Sequence, residues 1–286
     1  MAENSKIGWT DHTFNPWQGC EHVSPGCENC YAEAIAKRIG KPERWASGEA
    51  GVRDVTSDGY WRNPSKWNKA AAEAGRPALV FCASLADVFE DRTDLLEPRA
   101  RLFELIARTP SLIWLLLTKR PGNVLDLVPP AWLRELPTLE ARPRMVSCWP
   151  ENVWIGTTVE DQARADERIP ELDQIPAPVR FLSCEPLLEE VALYDVAAVD
   201  WIIVGGESGA GHRPFDPAWA RALKSQADAH EIPFFFKQHG GATAGAGGHL
   251  LDGELLYEWP AAAGDRTDLI AAALAEETGE TPVAIS

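Results

Sequence analysis

Three cysteines near the N-terminus carry the strongest chemical signal in the chain. Cys20 is followed after six intervening residues by Cys27, and after two more by Cys30. Three thiolates on one loop can occupy three corners of a metal centre and leave the fourth position open or supplied from elsewhere. Zinc needs a fourth ligand, for which His12 and His22 are the near candidates, whereas a four-iron cluster can bind a substrate or cofactor at its fourth iron. The spacing predicts a metal site and leaves its metal open.

The other three cysteines are scattered along the chain. Cys82, Cys148 and Cys184 lie in or beside apolar segments, which favours buried thiols over disulfides. Cys184 also ends a predicted strand, where a thiol could return a hydrogen atom to a product radical. A structural and a catalytic interpretation of Cys184 therefore stand side by side.

Composition and charge describe an ordinary globular protein. Of 286 residues, 45% are hydrophobic and 24% are charged, and 43 acidic side chains against 27 basic ones give a net charge of -16. This acidity argues against non-specific coating of nucleic acid, although a local basic patch is compatible with it. No apolar segment approaches the length of a membrane span, and the first residues lack the layout of a secretory signal. We expect a cytoplasmic protein with no membrane partner.

From residue 79 onward, short apolar segments alternate with polar helical ones, as in parallel strands joined by crossover helices. The expected strands are residues 79–82, 112–117, 153–156, 179–182, 201–204 and 233–236, with 7–14 as one more. The expected helices are residues 94–108, 161–172 and 218–230, besides one directly after Cys30. This order predicts an α/β fold, a partial or complete (β/α) barrel of the triosephosphate isomerase type. An open doubly wound sheet is the alternative.

Polar residues follow the predicted strands directly. They are Ser84 and Asp87; Thr118, Lys119 and Arg120; Thr157, Thr158 and Glu160; Glu185; Glu207 and Ser208; and Lys237, Gln238 and His239. Because the C-terminal ends of barrel strands form the active-site face, these groups are expected to converge. Lys119 and Arg120 could bind a carboxylate or phosphate. Gly205 and Gly206 would permit close approach to a ligand, with Glu207 available for an ammonium or a ribose hydroxyl.

Two regions fall outside the alternation. The insertion at residues 37–76 has nine basic against five acidic residues and interleaves them with Trp45, Tyr60, Trp61 and Trp67. Such a segment is either a nucleic-acid surface, with rings stacking on bases, or a lid that the tryptophans anchor to the barrel. A glycine-rich loop at 240–248 and a hairpin at 250–260 precede a tail at 261–286, expected to be an acidic surface helix. The predicted barrel domain spans residues 1–260.

The N-terminal motif and later blocks resemble a phage and prophage family of formerly unknown function with a three-cysteine motif. Its members are similar to radical S-adenosylmethionine (SAM) enzymes. The resemblance rests on Trp9-Thr10-Asp11, Asn15-Pro16, Gly19-Cys20, Ser24, Gly26-Cys27 and Cys30-Tyr31-Ala32, and on Thr118 to Pro121, Gly156 to Glu160, Ser183 to Leu187, Val204 to Gly209 and Phe236 to Gln238. It extends through about residue 260 and covers most of the chain.

The resemblance implies a [4Fe-4S] cluster on Cys20, Cys27 and Cys30, with S-adenosyl-L-methionine at the fourth iron. Reductive cleavage of that cofactor would make a 5'-deoxyadenosyl radical, which abstracts hydrogen from a substrate. The expected cofactor contacts are Tyr31, Thr157, Glu185, Gly205, Gly206 and Glu207, and the expected catalytic residues are Lys119, Cys184 and Lys237. An electron donor is an implied partner.

The family's phage setting points to a nucleotide or DNA substrate. Some relatives are associated with hypermodified thymidine, which suggests an isomerase of an aminoacyl-thymidine acting in the host cytoplasm. A lyase on the same barrel is the other reaction considered. The alternative from a different class is a zinc-stabilised protein without catalysis, in which the cysteines and a histidine fix the loop and residues 37–76 bind nucleic acid.

Overall fold

The computed structural model describes residues 5, 7–133, 148–194, 196, 199–243 and 245–278. Seven parallel strands form one curled sheet, a half-barrel, within a mixed α/β fold. The partial barrel expected from the sequence is confirmed at this level. The strands of the sheet are β1 (His12–Thr13), β4 (Ala78–Cys82), β5 (Leu112–Thr118), β6 (Val153–Thr158), β7 (Arg180–Cys184), β8 (Trp201–Gly205) and β9 (Phe234–Gln238).

The strand order in the sheet follows the order in the chain, β1-β4-β5-β6-β7-β8-β9. A doubly wound sheet reverses its order at a switch point, and this sheet has no reversal, so the open doubly wound alternative is wrong. Two small antiparallel pairs lie outside the sheet. One joins β2 (Trp17–Gln18) to β3 (Asp54–Val55), and the other is the predicted hairpin of β10 (Leu250–Leu251) and β11 (Glu254–Leu255).

Eight helices accompany the strands in the described part of the chain. They are α1 (Tyr31–Arg38), α2 (Asp58–Trp61), α3 (Asn63–Ala74), α4 (Leu96–Ala107), α5 (Val124–Leu127), α6 (Gln162–Asp173), α7 (Pro217–Ala229) and α8 (Thr267–Thr278). The start of α7 agrees with the predicted cap, because the Asp216 side chain accepts a hydrogen bond of 2.8 Å from the Ala218 N–H ahead of Pro217 at the first turn. Asp161 caps α6 in the same way.

The six longer strands of the sheet bury both faces, and the two faces have different partners. The concave face packs around Trp9, whose ring lies 4.7 Å from Phe81 of β4 and 6.2 Å from Trp201 of β8. Strands this far apart in the sheet share a contact only because the sheet curls. The convex face packs against α3, α4, α6 and α7 in the larger core cluster. Alternation along each strand therefore decides whether a side chain reaches the barrel interior or the helix layer.

Aromatic residues of the insertion at 37–76 pack inward. Trp45, Trp61 and Trp67 are each less than 10% exposed, and Trp61 and Trp67 belong to the core under α3. The burial of these three rings agrees with the anchoring interpretation and leaves them covered rather than exposed for stacking on bases. Arg101 lies 4.2 Å above the Trp61 ring, which further covers it.

The C-terminal segment packs on the half-barrel. The Arg266 side chain is 2% exposed and pairs with the Asp11 carboxylate at 2.6 Å, and Arg76 pairs with Asp268 at 2.7 Å. Residues 279–286 of the predicted tail lie outside the described residues. Across the described residues, helices fall short of the combined length and apolarity needed to cross a bilayer.

Candidate metal centre

A cavity of about 410 Å³ opens at the C-terminal ends of the strands, on the concave side of the sheet. All three clustered cysteines, Cys20, Cys27 and Cys30, line it. Its apolar floor comes from the barrel interior, and its walls carry polar groups from the strand ends. The floor residues are Trp9, Phe81 and Leu117, and the polar wall residues include Lys119, Thr158, Ser183, Glu185, Glu207 and Lys237.

The cysteine loop, residues 19–30, reaches the cavity through two tight turns. The Cys27 N–H donates to the Ser24 carbonyl at 2.9 Å, and the Cys30 N–H donates to the Cys27 carbonyl at 3.3 Å. Pro25 begins the short 3-10 turn that ends at Cys27, and Cys30 is the cap residue of α1. The three thiols are free of disulfides. All three thiols lie along the lining of the cavity.

A buried carboxylate just after β6 holds the centre of this loop. The Gly26 N–H donates to Glu160 Oε1 at 3.1 Å, and a Cβ on Gly26 would lie 3.0 Å from that oxygen. Glu160 is fully buried and pairs with Arg168 of α6 at 3.0 Å. The loop therefore rests on an ion pair that belongs to the half-barrel.

Glu207 and Arg213, in the segment after β8, form a second contact with the loop, the Glu207–Arg213 clasp. Glu207 accepts hydrogen bonds from the Arg213 backbone at 2.8 Å and from Asn29 Nδ2 at 3.0 Å, and its other oxygen pairs with Arg213. Arg213 also donates to the Pro25 carbonyl at 3.0 Å. Burial opposes ionisation of Glu207, but these hydrogen bonds offset it and lower the pKa of the carboxyl. Glu207, expected to bind a cofactor, lines the cavity while its carboxylate is engaged by the protein.

Arg120, at the end of β5, touches the first cysteine. Its Nη1 lies 3.6 Å from Cys20 Sγ and 3.0 Å from Asp87 Oδ2, and its Nη2 donates to the Glu21 carbonyl at 2.9 Å. The sequence predicts that Arg120, like Lys119, binds an anion. In the structure the Arg120 guanidinium is instead hydrogen-bonded to the cysteine loop and to Asp87.

Polar side chains at the strand ends pair with one another on the cavity wall. Lys119 Nζ lies 3.3 Å from Thr158 Oγ1, and Lys237 pairs with Glu185. A Cβ at Gly205 would be in ordinary contact with the Glu185 and Lys237 side chains, at 3.5 Å. Three of the predicted site residues, Lys119, Glu185 and Lys237, are thus brought together on the cavity wall.

Other predicted site residues lie elsewhere. Cys184 and Thr157 are fully buried and do not line the cavity, whereas their neighbours Ser183 and Thr158 do. Cys184 belongs to the core on the convex face, which is the structural interpretation of this thiol. Alternation along the strand places adjacent residues on opposite faces, and both faces here are buried.

Three further expectations meet different outcomes. Tyr31 lines the cavity, and its hydroxyl donates to the Ser84 carbonyl at 2.5 Å. Gly206 allows close packing of the backbone, because a Cβ there would lie 2.1 Å from the His239 carbonyl oxygen. Cys148, expected to be buried, is exposed, and the adjacent Trp149 fills the core instead.

Burial alters the ionisation of Cys20 and Cys30. It raises the pKa of Cys20 to about 12, with the Asp87 charge adding to the effect and Arg120 opposing it. It also raises the pKa of Cys30 above its ordinary value. A metal binds the thiolate, so binding at these residues must release protons.

The two histidines considered as a fourth ligand occupy different places. His12 stacks on Trp67 with 4.4 Å between ring centroids, outside the cavity lining. His22 lines the cavity, and its Nε2 lies 3.2 Å from a Glu33 carboxylate oxygen. Among the residues that the structure describes, no three His, Cys, Asp or Glu side chains form a ready-made metal site.

The Glu207–Arg213 clasp was not predicted from the sequence. Arg213 follows a glycine-containing turn in a polar stretch, and nothing in its local pattern distinguishes it from a solvated arginine. Its partners Pro25 and Glu28 are more than 180 residues away in the chain. Only the spatial approach of the two segments shows its role.

The fold and the site together define an α/β half-barrel protein with a thiol-lined cavity at the C-terminal ends of its strands. Residues 4–260 match the family described as "Protein of unknown function (DUF5131)", and the chain belongs to that family. No curated protein and no solved structure matches the chain.

Proposed function

We propose that the protein is a radical SAM enzyme that holds a [4Fe-4S] cluster on Cys20, Cys27 and Cys30. The observation that carries the proposal is that these three free thiols line one cavity at the mouth of the half-barrel. Cubane clusters are held by cysteine thiolates, and three protein ligands leave one iron open to a cofactor. The resemblance of the cysteine motif to radical SAM-like phage proteins supports the same assignment.

The donor set fits such a cluster. All three candidate ligands are soft sulfur donors, which suit iron-sulfur clusters. The histidine nearest to them, His22, interacts with Glu33, and His12 stacks on Trp67 outside the cavity lining. A closed tetrahedral zinc site would need one of these rings or another donor to complete it.

When bound, the cluster and SAM would supply a carbon-centred radical for hydrogen abstraction. The chain's own residues would position and shield that chemistry. Glu160 and the Glu207–Arg213 clasp hold the cysteine loop over the cavity. The apolar floor of Trp9 and Phe81 keeps water from the deeper part of the cavity. Lys119 presents a cation to it beside Thr158.

For the substrate, we propose a thymidine derivative in nucleotide or DNA form, modified in a phage-encoded pathway. An isomerisation of an aminoacyl-thymidine would require hydrogen to be abstracted from the substrate and returned after the rearrangement, and a lyase reaction is the second candidate. The cavity volume of about 410 Å³ lies in the range usual for small-molecule sites, and an apolar floor with polar walls suits a base carrying a polar substituent.

The decisive experiment measures iron, sulfide and zinc in protein purified without oxygen. Wild type is compared with Cys20→Ala, Cys27→Ala and Cys30→Ala, and with Cys148→Ala as a matched control for an exposed cysteine outside the cavity. We expect about four irons and four sulfides per chain, lost in the three loop variants and kept in the control. The reduced protein should then convert SAM to 5'-deoxyadenosine.

A single zinc without iron in the anaerobic protein would contradict the proposal. That result would favour the metal-stabilised nucleic-acid-binding alternative. If the cluster forms and SAM is cleaved, phage DNA containing the aminoacyl-thymidine is the next substrate to test. Unchanged modified thymidine in that assay would overturn the substrate assignment while leaving the enzyme class intact.

A further inference from the structure

We infer that Arg120 is a positioning residue for the metal centre, acting through the sulfur of Cys20. Its guanidinium lies 3.6 Å from Cys20 Sγ and donates to the Glu21 carbonyl at 2.9 Å, so one side chain grips both the ligand and the backbone after it. The inference rests on the proposed function, because it assigns a role toward the cluster that Cys20 would hold.

The orientation of Arg120 is determined by the half-barrel rather than by the loop. Asp87 accepts from Arg120 Nη1 at 3.0 Å, and the Arg120 side chain is only 13% exposed. The same carboxylate accepts from Thr118 Oγ1 at 2.7 Å and from the Phe89 N–H at 2.9 Å. The Asp87 oxygens are fixed by hydrogen bonds from β5 and from the Phe89 backbone. Asp87 therefore orients the Arg120 guanidinium toward the cysteine loop. A ligand supported in this way keeps its rotamer before metal arrives.

This support is specific to the first cysteine. Cys20 is the thiol that Arg120 reaches across 100 residues of sequence, whereas the sulfur of Cys27 has the Ser24 hydroxyl of its own loop at 3.9 Å. Arg120 therefore ties one ligand of the trio to the sheet. Among the described residues, no such hydrogen bond from the sheet reaches the sulfur of the other two; Cys27 and Cys30 are held through the backbone and side chains of their loop neighbours Gly26 and Asn29.

Two consequences follow for the bound cluster. Loss of a partner that orients a ligand typically weakens metal binding by about 10–100-fold. Hydrogen bonds to cluster sulfur are among the factors that set reduction potential, and a nearby positive charge favours the reduced, more negative state. Removing Arg120 should therefore weaken metal binding and shift the cluster to a lower potential.

The test compares Arg120→Gln and Arg120→Lys with wild type and with Arg221→Gln. Arg221 pairs with Asp252 at 2.7 Å on the exposed surface, so its variant removes an Arg–Asp pair of the same kind away from the cysteines. Co²⁺ affinity is measured from the thiolate charge-transfer absorption, and the potential of the reconstituted cluster is measured by a titration followed by electron paramagnetic resonance.

We expect Arg120→Gln to lose about 10–100-fold in Co²⁺ affinity and to lower the cluster potential. Arg120→Lys should keep part of both properties because it keeps the charge, and Arg221→Gln should match wild type. A double-mutant cycle with Cys20→Ser isolates the pathway. If Arg120 acts through Cys20, adding Arg120→Gln to Cys20→Ser changes Co²⁺ affinity little further.

The outcomes separate this inference from the proposed function. A wild type that binds Co²⁺ but never forms a cluster, with affinity reduced in Arg120→Gln, would refute the proposed enzyme and retain the positioning role. A normal cluster with the same potential and affinity in all variants would overturn the positioning role alone. An equal loss of affinity in the Cys20→Ser background would show that Arg120 acts on the fold instead. If Arg120→Gln does not fold, Arg120→Lys and its own cycle with Cys20→Ser decide the question.

Discussion

The backbone N–H of Gly26 donates a 3.1 Å hydrogen bond to the carboxylate of Glu160, 134 residues further along the chain. Glu160 is fully buried, and its other oxygen pairs with Arg168 of α6. The buried Glu160 carboxylate of the half-barrel thus supports the middle of the cysteine loop. Loop position and core stability are coupled at this residue.

Glu160→Ala should destabilise the protein. It leaves the Arg168 charge buried without its carboxylate, and breaking a buried ion pair costs about 3–5 kcal/mol. The measurement is the free energy of unfolding in urea. Glu73→Ala, which removes an exposed pair with Lys69 on α3, serves as control and should change stability by less than about 1 kcal/mol. Equal effects of the two substitutions would contradict the coupling.

The Glu207 clasp predicts a loss of stability in acid. The pKa of Glu207 lies below its ordinary value of 4.5, because hydrogen bonds from Arg213 and Asn29 offset the effect of burial. A carboxyl with a lowered folded pKa stabilises the protein above its unfolded pKa and loses that contribution as pH falls through the folded value. The stability difference between wild type and Glu207→Gln should therefore shrink as pH falls from neutral to well below 4.5. A difference that stays constant over urea unfolding curves at each pH would argue against the clasp.

A larger residue at Gly156 is predicted to destabilise the protein unless Phe181 becomes smaller with it. A Cβ on Gly156 would lie 2.3 Å from the Phe181 ring, on the neighbouring strand and inside the barrel. Gly156→Ala should cost about 1–3 kcal/mol of unfolding free energy through overpacking. Adding Phe181→Leu should recover part of that loss, since the smaller side chain makes room. Gly59→Ala, where the nearest atom to a new Cβ is 3.7 Å away, is the control. Strict additivity of the two substitutions would disprove the steric explanation.

Lys119 is predicted to bind an anionic group of the ligand. Its amino group has the Thr158 hydroxyl at 3.3 Å, whereas Lys237 on the same wall is paired with Glu185. A hydrogen bond to a charged group contributes about 1.5–3 kcal/mol, so Lys119→Met should weaken binding of such a ligand about tenfold or more. Calorimetric titration with SAM and with thymidine monophosphate shows which ligand loses affinity. Lys69→Met, on the exposed face of α3, should bind both as wild type does. Unchanged affinity for both ligands in Lys119→Met would remove Lys119 from the binding site.

Much of the fold was predictable because its signals are local. The apolar segments that became β4, β5, β6 and β8 are short and bounded by polar residues, and the cap at Asp216 with Pro217 marks the start of α7. The grouping of Cys20, Cys27 and Cys30 on one loop is equally local, since their spacing alone keeps the thiols near one another. Their common cavity agrees with that expectation.

The faces of the strands could not be read from the sequence. A strand buried on both sides has no polar alternation to show which residues point into the barrel. The sequence therefore favours Thr157 and Cys184, whereas in the structure their neighbours Thr158 and Ser183 line the cavity. The burial of Trp61 in the insertion could not be predicted either, because it depends on packing against a core formed by distant residues.

The sequence by itself determined the strand-helix alternation, the cysteine loop and the polar strand ends, because each depends on neighbouring residues. Only the tertiary structure decided which polar groups remain available to a ligand. Glu207 and Arg120 are engaged with Asn29 and Cys20 through contacts that span 178 and 100 residues. The curl of the sheet determines these partners, because it brings distant strand ends close to one loop. Buried charged groups can then pair there.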